Sequence, residues 1–505
     1  MIGSLEISGQ PFTLEQIAQV AAGTLAPVLS EPARLRIESS RRVVEKLLSE
    51  RKVVYGVNTG FGKLADVHIP SRELGQLQVN LVRSHASGLG APLGERETRA
   101  LMLLRANVLA TGHSGCRCVV VETIIEMLAR SVSPRIPEKG SVGASGDLAP
   151  LAHLALAMIG EGKCLYRGEW IASGDALQAA GIDPLRLAAK EGLALLNGTQ
   201  AMVAVGSLSL LRAERVAKLA DLAGAMSLEA LRGTPVAFDA RIHSARPHPG
   251  QQASAAHLRE ILRDSAIRDS HLHNDPRVQD AYCLRCMPQV HGAVRNALAH
   301  ARETVEIESG SATDNPLVFA DTEEILSGGN FHGAPLALVC DYAAIALTDL
   351  MSITERRIDR LINPDLNEGL PPFLSAQPGL SSGYMIAHVC AASLLSEARV
   401  LAHPASVDSV PTSGGKEDHV SMGMTSALKL RQIVANAEYV LAIELMTAAE
   451  GIDYRRPLRS SVAIERAHEI IRAAVPRLTA DRPPSDDIEA LTQTITDGQF
   501  DEFLN

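Results

Sequence analysis

The sequence has few aromatic residues and no segment rich in lysine and arginine. Aromatic side chains make up 3% of the 505 residues, and the formal net charge is -10 with a sequence pI near 5.9. An acidic chain repels a phosphate backbone, and scarce aromatic rings leave few platforms on which bases could stack. These features exclude nucleic acid as the expected partner and favour a small polar metabolite.

Cysteine is also sparse. Seven cysteines, an odd number, predict reduced thiols rather than a disulfide framework. Cys283 and Cys286 have the C-x-x-C spacing, but no second pair accompanies them, so we interpret them as ordinary packed thiols. The histidines of segments 243–248 and 271–273 show no recognisable ligand pattern, and we expect no metal.

The sequence shows no sign of a membrane segment. The first sixteen residues lack a basic stretch followed by an apolar run, and no run of about 18 uncharged apolar residues occurs further on. We therefore expect a soluble, cytoplasmic protein that does not contact a membrane.

Long helix-compatible segments are what the sequence does contain. Residues 198–233, 336–363 and 417–451 run on without proline, which predicts a mainly α protein built as an elongated bundle of long helices. Apolar residues surround nearly the whole of 336–347, as expected for a helix buried in a bundle or between subunits. We predict a smaller N-terminal portion, residues 1–197, and a long-helix bundle, residues 198–505.

Local sequence signals predict where individual helices begin and where one hairpin lies. Thr13 and Gln16 form a capping-box pattern that begins a first helix, and Ser30 begins a second helix that runs to about Glu50. Ser71 is a candidate cap for a third. The only convincing strand signal is Cys164–Ile171, which predicts a small hairpin.

Small residues are concentrated in 140–150, directly before an apolar helix-compatible segment. From the residues alone, this is a glycine-rich turn with Asp147 as the helix N-cap. A phosphate-binding loop is disfavoured because the lysine of that motif is absent.

The string Gly143-Ala-Ser-Gly-Asp-Leu148 resembles the signature of the histidine, phenylalanine and tyrosine ammonia-lyase family. The resemblance implies a fumarase/aspartase-like helical architecture and a homotetramer whose subunits together complete each active site. It also implies that Ala144, Ser145 and Gly146 cyclise autocatalytically into 4-methylidene-imidazole-5-one, an electrophile that needs no metal. Glycine suits the third position because its nitrogen must approach the Ala144 carbonyl closely.

Similar strings follow the family's order along nearly the whole chain. They include Tyr55-Gly-Val-Asn-Thr-Gly-Phe-Gly62, Ser84-His85-Ala-Ser-Gly88, Asn197-Gly-Thr-Gln200, Tyr282-Cys-Leu-Arg285-Cys-Met-Pro-Gln289, Asp314-Asn315-Pro316, Ser327-Gly-Gly-Asn-Phe331-His332, His403-Pro-Ala-Ser-Val-Asp408 and Glu417-Asp-His-Val-Ser-Met422.

The resemblance also implies roles. Tyr55 would remove the β-proton, which requires that its ordinary pKa near 10 be lowered. Arg285 would bind the substrate's α-carboxylate with its planar fork, and Asn197 would donate to that group or to the ring oxygen. Asp147 would assist cyclisation. Four further residues would line the site and orient the substrate or support ring formation: Tyr282, Gln289, Asn315 and Phe331.

Two positions indicate the substrate. Ser84-His85 resembles the histidine members of the family, and an imidazole could bond both His85 and Glu417, whereas a phenyl ring would leave the carboxylate unmatched. We expect L-histidine as substrate and urocanate as product. A lyase or 2,3-aminomutase for tyrosine or phenylalanine remains the alternative. Lys416 departs from the family pattern and could either pair with Glu417 or point to solvent.

Overall fold

The computed structural model describes residues 3–50, 52–60, 67–273 and 275–504. Helix dominates these residues, which confirms the mainly α prediction. In chain order the helices are α1 (Leu14–Ala21), α2 (Glu31–Ser49), α3 (Leu74–His85), α4 (Glu95–Ala110), α5 (Cys118–Ala129), α6 (Leu148–Met158), α7 (Ser173–Ala180), α8 (Glu191–Leu196), α9 (Gln200–Ala230), α10 (Ala240–Ser244), α11 (Pro249–Ile261), α12 (Ala266–Asp269), α13 (Tyr282–Arg285), α14 (Met287–Ser309), α15 (Ala334–Ile362), α16 (Met385–Leu401), α17 (Gly423–Asp453), α18 (Val462–Ala474) and α19 (Pro484–Thr496).

The chain divides into two compact units. The first unit comprises Met1–Leu211, Ala301–Asp341 and Pro404–Leu428, and the second comprises Arg212–His300, Tyr342–His403 and Lys429–Asn505. The predicted division near residue 197 remains a prediction.

The described strands are short and all belong to the first unit. They are β1 (Gly3–Ile7), β2 (Leu25–Leu29), β3 (Leu89–Pro92), β4 (Ser133–Pro134), β5 (Pro137–Lys139), β6 (Lys163–Tyr166), β7 (Glu169–Ala172), β8 (Leu317–Phe319) and β9 (Glu324–Leu326). β1 pairs with β2 in parallel, β3 with β5, β6 with both β4 and β7, and β8 with β9. The expected hairpin is present as β6 and β7. The remaining strands were missed because two to five residues are too few to show an alternating pattern.

Helix starts in the first unit follow the capping signals. The Thr13 hydroxyl accepts from the Gln16 amide, and the Gln16 side chain accepts from the Thr13 amide, which confirms the capping box of α1. Ser30 caps α2 as expected. Ser71 lies instead in a 3₁₀ turn, and α3 begins three residues later at Leu74.

Helix α4 forms the centre of the first unit. It packs against α1, α2 and α5, and its residues from Thr98 to Ala110 are all buried. Two of these buried residues, Arg99 and Arg105, are arginines. Helix α6 packs in turn against α3 and α8, so the segments that precede α6 and follow α8 are held in place by helices.

Two of the long helices agree with the proline-free segments, and one differs. α9 and α15 lie within two residues of the predicted limits, apart from the C-terminus of α9, which ends three residues earlier. By length and composition α15 could also span a membrane, but 67% of its most apolar window is buried within the protein. α17 begins at Gly423 rather than near Glu417, because Met422 has a φ of +58° and interrupts the helical path.

In the second unit, α11 packs against α10 and α18, and α18 against α19. The interior contains a paired charge cluster around Asp221. Its carboxylate accepts from Ser254, His257, His291 and Arg295.

Candidate active site

The tripeptide Ala144-Ser145-Gly146 lies in a tight turn directly before α6. Ser145 has a φ of +49° and Gly146 a φ of +78°, so a residue with a side chain occupies the left-handed region beside the glycine. A Cβ on Gly146 would overlap the carbonyl oxygen of Gly198. The backbone conformation and the close approach therefore both require glycine at 146.

Asp147 is fully buried and occupies the predicted N-cap position of α6, but its side chain makes no capping bond to that helix. Its carboxylate accepts from the Met202 amide at 2.8 Å and the Ser141 hydroxyl at 3.1 Å. The carboxylate thus caps the first turn of α9, where the helix dipole favours a negative group. Burial nevertheless raises the pKa of Asp147 to about 7, against these two hydrogen bonds.

The segment 197–200 lies alongside the tripeptide. The Asp147 amide donates to the Gly198 carbonyl at 2.7 Å, and the Gly198 amide points to the Ser145 carbonyl oxygen at 3.4 Å. The Asn197 side-chain amide donates to the Asn315 carbonyl at 2.7 Å. Its side-chain oxygen is buried and accepts no hydrogen bond from the described residues. Asn197 and Asn315, both predicted site residues, are therefore neighbours.

The Tyr55 loop is described as far as Gly60, and the last two residues of the predicted loop, Phe61 and Gly62, lie outside the described residues. The Asn58 side chain accepts from the Val54 amide and donates to the Lys52 carbonyl, both at 2.8 Å, which closes the loop around a buried amide. A Cβ on Gly56 would lie 2.9 Å from Cδ of Pro316. The loop that carries Tyr55 therefore packs next to Asn315.

Glu417 lies on a loop and reaches the tripeptide. Its Oε1 accepts from the Ser145 hydroxyl at 3.2 Å, while Oε2 accepts from Thr412 at 2.8 Å and Ser413 at 2.6 Å. Lys416 is exposed, and no ion pair joins it to Glu417 in the described part of the chain. The side chain of Glu417 is therefore oriented by hydroxyl groups.

His85 is half-buried at the C-terminus of α3. Its Nδ1 lies 2.9 Å from the Leu81 carbonyl oxygen and 3.0 Å from the Ser84 hydroxyl. A carbonyl oxygen only accepts, so Nδ1 carries a proton, and in the neutral tautomer with this proton Nε2 is an acceptor. Phe331 is half-buried in the loop before α15.

The other three predicted residues lie in the second unit. The guanidinium of Arg285 stacks over the Tyr282 ring, 4.6 Å from its centroid, and both residues line a cavity of about 400 Å³. The Tyr282 side chain is 71% exposed. Nε of Arg285 and Oε1 of Gln289 are buried and have no hydrogen-bond partner among the described residues.

Sequence reasoning missed several residues that hold the site. Thr412 and Ser413 orient Glu417, Ser141 bonds Asp147, and Gln279 lines the cavity with Arg285. The hydroxyl residues stand four and five positions before Glu417, but only their loop conformation turns them back to it. Gln279 stands three positions before Tyr282 but outside helix α13, so no periodic pattern marks it.

Comparison with known proteins agrees with this geometry. A family model described as aromatic amino acid lyase matches residues 12–473. The chain belongs to the aromatic amino acid lyase family, as its resemblance predicted, and is a carbon-nitrogen lyase.

Within the family, the chain is similar to proteins of two reaction types. It is 54% identical to the histidine ammonia-lyase of Stigmatella aurantiaca over 98% of this chain and 97% of that protein. The solved histidine ammonia-lyase of Trypanosoma cruzi is 42% identical, with a TM-score of 0.92 over 99% of this chain and 95% of that one. Tyrosine aminomutase from Streptomyces globisporus is 38% identical, with a TM-score of 0.94 over 99% and 98% of the two chains.

Proposed function

We propose that this aromatic amino acid lyase eliminates ammonia from L-histidine to give trans-urocanate. The observation that carries the proposal is the contact of Glu417 with Ser145, because it places a carboxylate suited to an imidazole beside the tripeptide. The 54% identity to a histidine ammonia-lyase over nearly the whole chain supports the same substrate.

The tripeptide fits the prosthetic group that the family resemblance implies. Cyclisation would join the Gly146 nitrogen to the Ala144 carbonyl carbon. The first water lost is made from the Ala144 carbonyl oxygen and the amide hydrogens of Ser145 and Gly146. The second is made from the hydroxyl and the α-hydrogen of Ser145. The left-handed Ser145 and the side-chain-free Gly146 preorganise this closure. The resulting 4-methylidene-imidazole-5-one supplies an electrophile for the substrate's amino group.

Asp147 is suited to move protons during cyclisation. A buried carboxyl group with a pKa near 7 is present in both protonation states at neutral pH. The Ser141 hydroxyl links Asp147 to the Gly146 carbonyl, at 3.1 Å and 3.5 Å respectively.

Several side chains would together recognise the substrate. With its proton on Nδ1, the neutral tautomer of His85 would present Nε2 as an acceptor for a substrate imidazole N–H. Loss of the Ser145 hydroxyl leaves Glu417 Oε1 without its donor, so it can accept from the second N–H of a substrate imidazolium. Arg285 would bind the α-carboxylate, with Tyr282, Gln289, Asn315 and Phe331 orienting the substrate. Tyr55 would remove the β-proton as a phenolate, and Asn197 would donate to the carboxylate or the ring oxygen.

The test is product analysis with purified protein. L-Histidine should yield urocanate, which absorbs in the near ultraviolet, and the tryptic peptide with Ser145 should be lighter by two waters than its sequence requires. Protein that carries this mass loss but makes no urocanate would rule out histidine as the substrate.

An aminomutase is the second candidate, because the chain is also 38% identical to a tyrosine aminomutase. The ring and the base serve both reactions, so only the products separate them. Incubation with tyrosine, phenylalanine and histidine distinguishes unsaturated acids from β-amino acids. A β-amino acid as the main product would replace the lyase proposal.

We also propose a homotetramer, as the resemblance implies. The second unit exposes apolar side chains on α16, among them Ile386, Val389 and Val400, as expected for a subunit interface. Co-expression of Ser145→Ala with Tyr282→Phe tests whether subunits share sites. Each variant alone should be nearly inactive, and mixed oligomers should recover turnover only if Ser145 and Tyr282 of one site come from different chains. No recovery in isolated mixed oligomers would contradict shared sites.

A further inference from the structure

Helix α4 carries a fully buried arginine that bonds only uncharged oxygens. Nη1 of Arg105 donates to the Asn197 carbonyl and to Oε1 of Gln200, both at 2.6 Å, and Nη2 donates to the Ala194 carbonyl. Its Nε is buried and has no partner among the described residues. A buried cation without a carboxylate partner is costly.

The carboxylate of Asp314 acts electrostatically on Arg105 but is already paired with another cation. Asp314 accepts from the buried Lys190 ammonium at 3.0 Å and from the Asn315 amide at 2.7 Å. Burial lowers the pKa of Arg105 to about 10, so the group is still charged at neutral pH. The charges of Lys190 and Asp314 therefore compensate each other. The charge of Arg105 has no such partner and lies beneath segment 197–200.

This charge lies at one end of a peptide group whose other end faces the tripeptide. The Asn197 carbonyl, which accepts from Arg105, and the Gly198 N–H belong to the same peptide group. That N–H points to the Ser145 carbonyl oxygen at 3.4 Å. A cation bonded to a peptide oxygen polarises the group and makes its N–H a stronger donor. At 3.4 Å, a hydrogen bond from an ordinary amide is weak, and polarisation of the Gly198 N–H strengthens it.

We infer that Arg105 is a positioning residue that acts through the Asn197–Gly198 peptide group on the Ser145 carbonyl oxygen. The inference rests on the proposed function. Cyclisation of the tripeptide retains the Ser145 carbonyl oxygen, and negative charge would develop on this oxygen when a nucleophile adds to the electrophile. A preorganised N–H aimed at such an oxygen stabilises the developing charge. Arg105 touches neither substrate nor tripeptide.

The chain offers a matched control on the same helix. Arg99 is also buried in α4 and also donates to backbone carbonyls, those of Val20 and Leu128, at the C-terminal ends of α1 and α5. Its bonds do not involve segment 197–200. The variants Arg105→Met, Arg105→Lys and Arg99→Met therefore separate the loss of any buried arginine from the loss of this one.

The experiment compares the full-length oligomers by thermal unfolding, by the mass of the Ser145 peptide, by the ring's ultraviolet absorption band, and by kcat and KM for L-histidine. In folded R105M that has lost the two waters, we expect kcat to fall about tenfold or more with KM changed less than about twofold, because a transition-state interaction is weakened. The absorption band should shift. R105K should lie between R105M and the parent, and R99M should match the parent in kcat and band.

Folded, ring-bearing R105M with the parent's kcat and absorption band would overturn the inference, as would an equal loss in R99M. If R105M does not fold, R105K decides, because one ammonium cannot reach all three oxygens: an unchanged band and kcat would again overturn it. If the parent protein carries the ring but does not make urocanate, the substrate proposal fails, while the band of R105M against R99M still tests Arg105.

Discussion

Two fully buried aspartates, one in each unit, have opposite electrostatic surroundings. Asp147 in the first unit accepts only from uncharged donors, and burial raises its pKa to about 7. For Asp221 in the second unit burial acts in the same direction, but hydrogen bonds from His257 and His291 and the charge of Arg295 bring its pKa well below the usual range. The neighbours of Asp221 neutralise its charge, whereas Asp147 has no ion pair and lies beside the tripeptide.

The buried arginines show the same contrast. Arg357 in the second unit pairs with the buried Glu444, with Nη2 2.9 Å from Oε2. Arg105 in the first unit bonds only carbonyl and amide oxygens. Arg357 is thus neutralised by a carboxylate, whereas Arg105 has none and lies beneath the segment that contacts the tripeptide. Charged groups with perturbed pKa values cluster at functional sites, so Arg105 and Asp147 are candidates for a role in the chemistry.

The largest effect should come from removing the reactive hydroxyl. Ser145→Ala cannot form the exocyclic methylidene, so we expect turnover of histidine to fall by about 1000-fold or more while the fold is kept. Steady-state assays and the mass of the 145 peptide measure this. Ser141→Ala serves as a control, and it should retain the two-water loss at least in part. Full activity of S145A would show that the tripeptide is not the electrophile.

The two aspartates should respond differently to neutralisation. Asp221→Asn leaves Arg295 and the two histidines without their anion, so we expect about 3–5 kcal/mol of destabilisation. Asp147→Asn should cost much less stability but slow the two-water loss. Urea unfolding and peptide mass measure the two effects. Equal destabilisation by both would remove the contrast between the units.

The same pair should differ in pH dependence. The folded protein binds more protons than the unfolded chain at Asp147 between about pH 4 and pH 7, so this group makes stability fall as pH rises through that window. Asp221 has a lowered pKa, so its contribution is present above about pH 4 and is lost as pH falls further. Thermal unfolding of D147N should lack the first trend, and that of D221N should lack the second.

Substrate choice should depend on Glu417. Glu417→Gln removes the negative charge beside Ser145, and we expect kcat/KM for histidine to fall about 10- to 100-fold, with a smaller loss for phenylalanine, which offers no imidazole N–H. Kinetics with both substrates check this. An equal loss for both would mean that Glu417 supports the tripeptide rather than recognising the substrate.

The smallest effect belongs to Lys416. Because it is exposed and makes no ion pair with Glu417 in the described residues, Lys416→Gln should change kcat/KM for histidine by less than about threefold. A change as large as that of E417Q would show that the lysine sets the charge state of its neighbour.

The sequence alone determined the family, the helical class and the positions of several helices. The capping box at Thr13 and the uninterrupted segment of α9 are local patterns, so residues close in sequence suffice to specify them. The string 143–148 identified the tripeptide because its chemistry is carried by adjacent residues.

Only the tertiary structure decided which residues support that chemistry. Asp147 caps α9 instead of its own helix, Glu417 reaches Ser145 from a loop, and Arg105 bonds a peptide group 92 residues away. None of these contacts leaves a periodic or spaced signal, because each depends on how distant segments pack. Whether a buried charge has a partner is likewise a property of the folded neighbourhood, and it distinguishes Asp147 and Arg105 from Asp221 and Arg357.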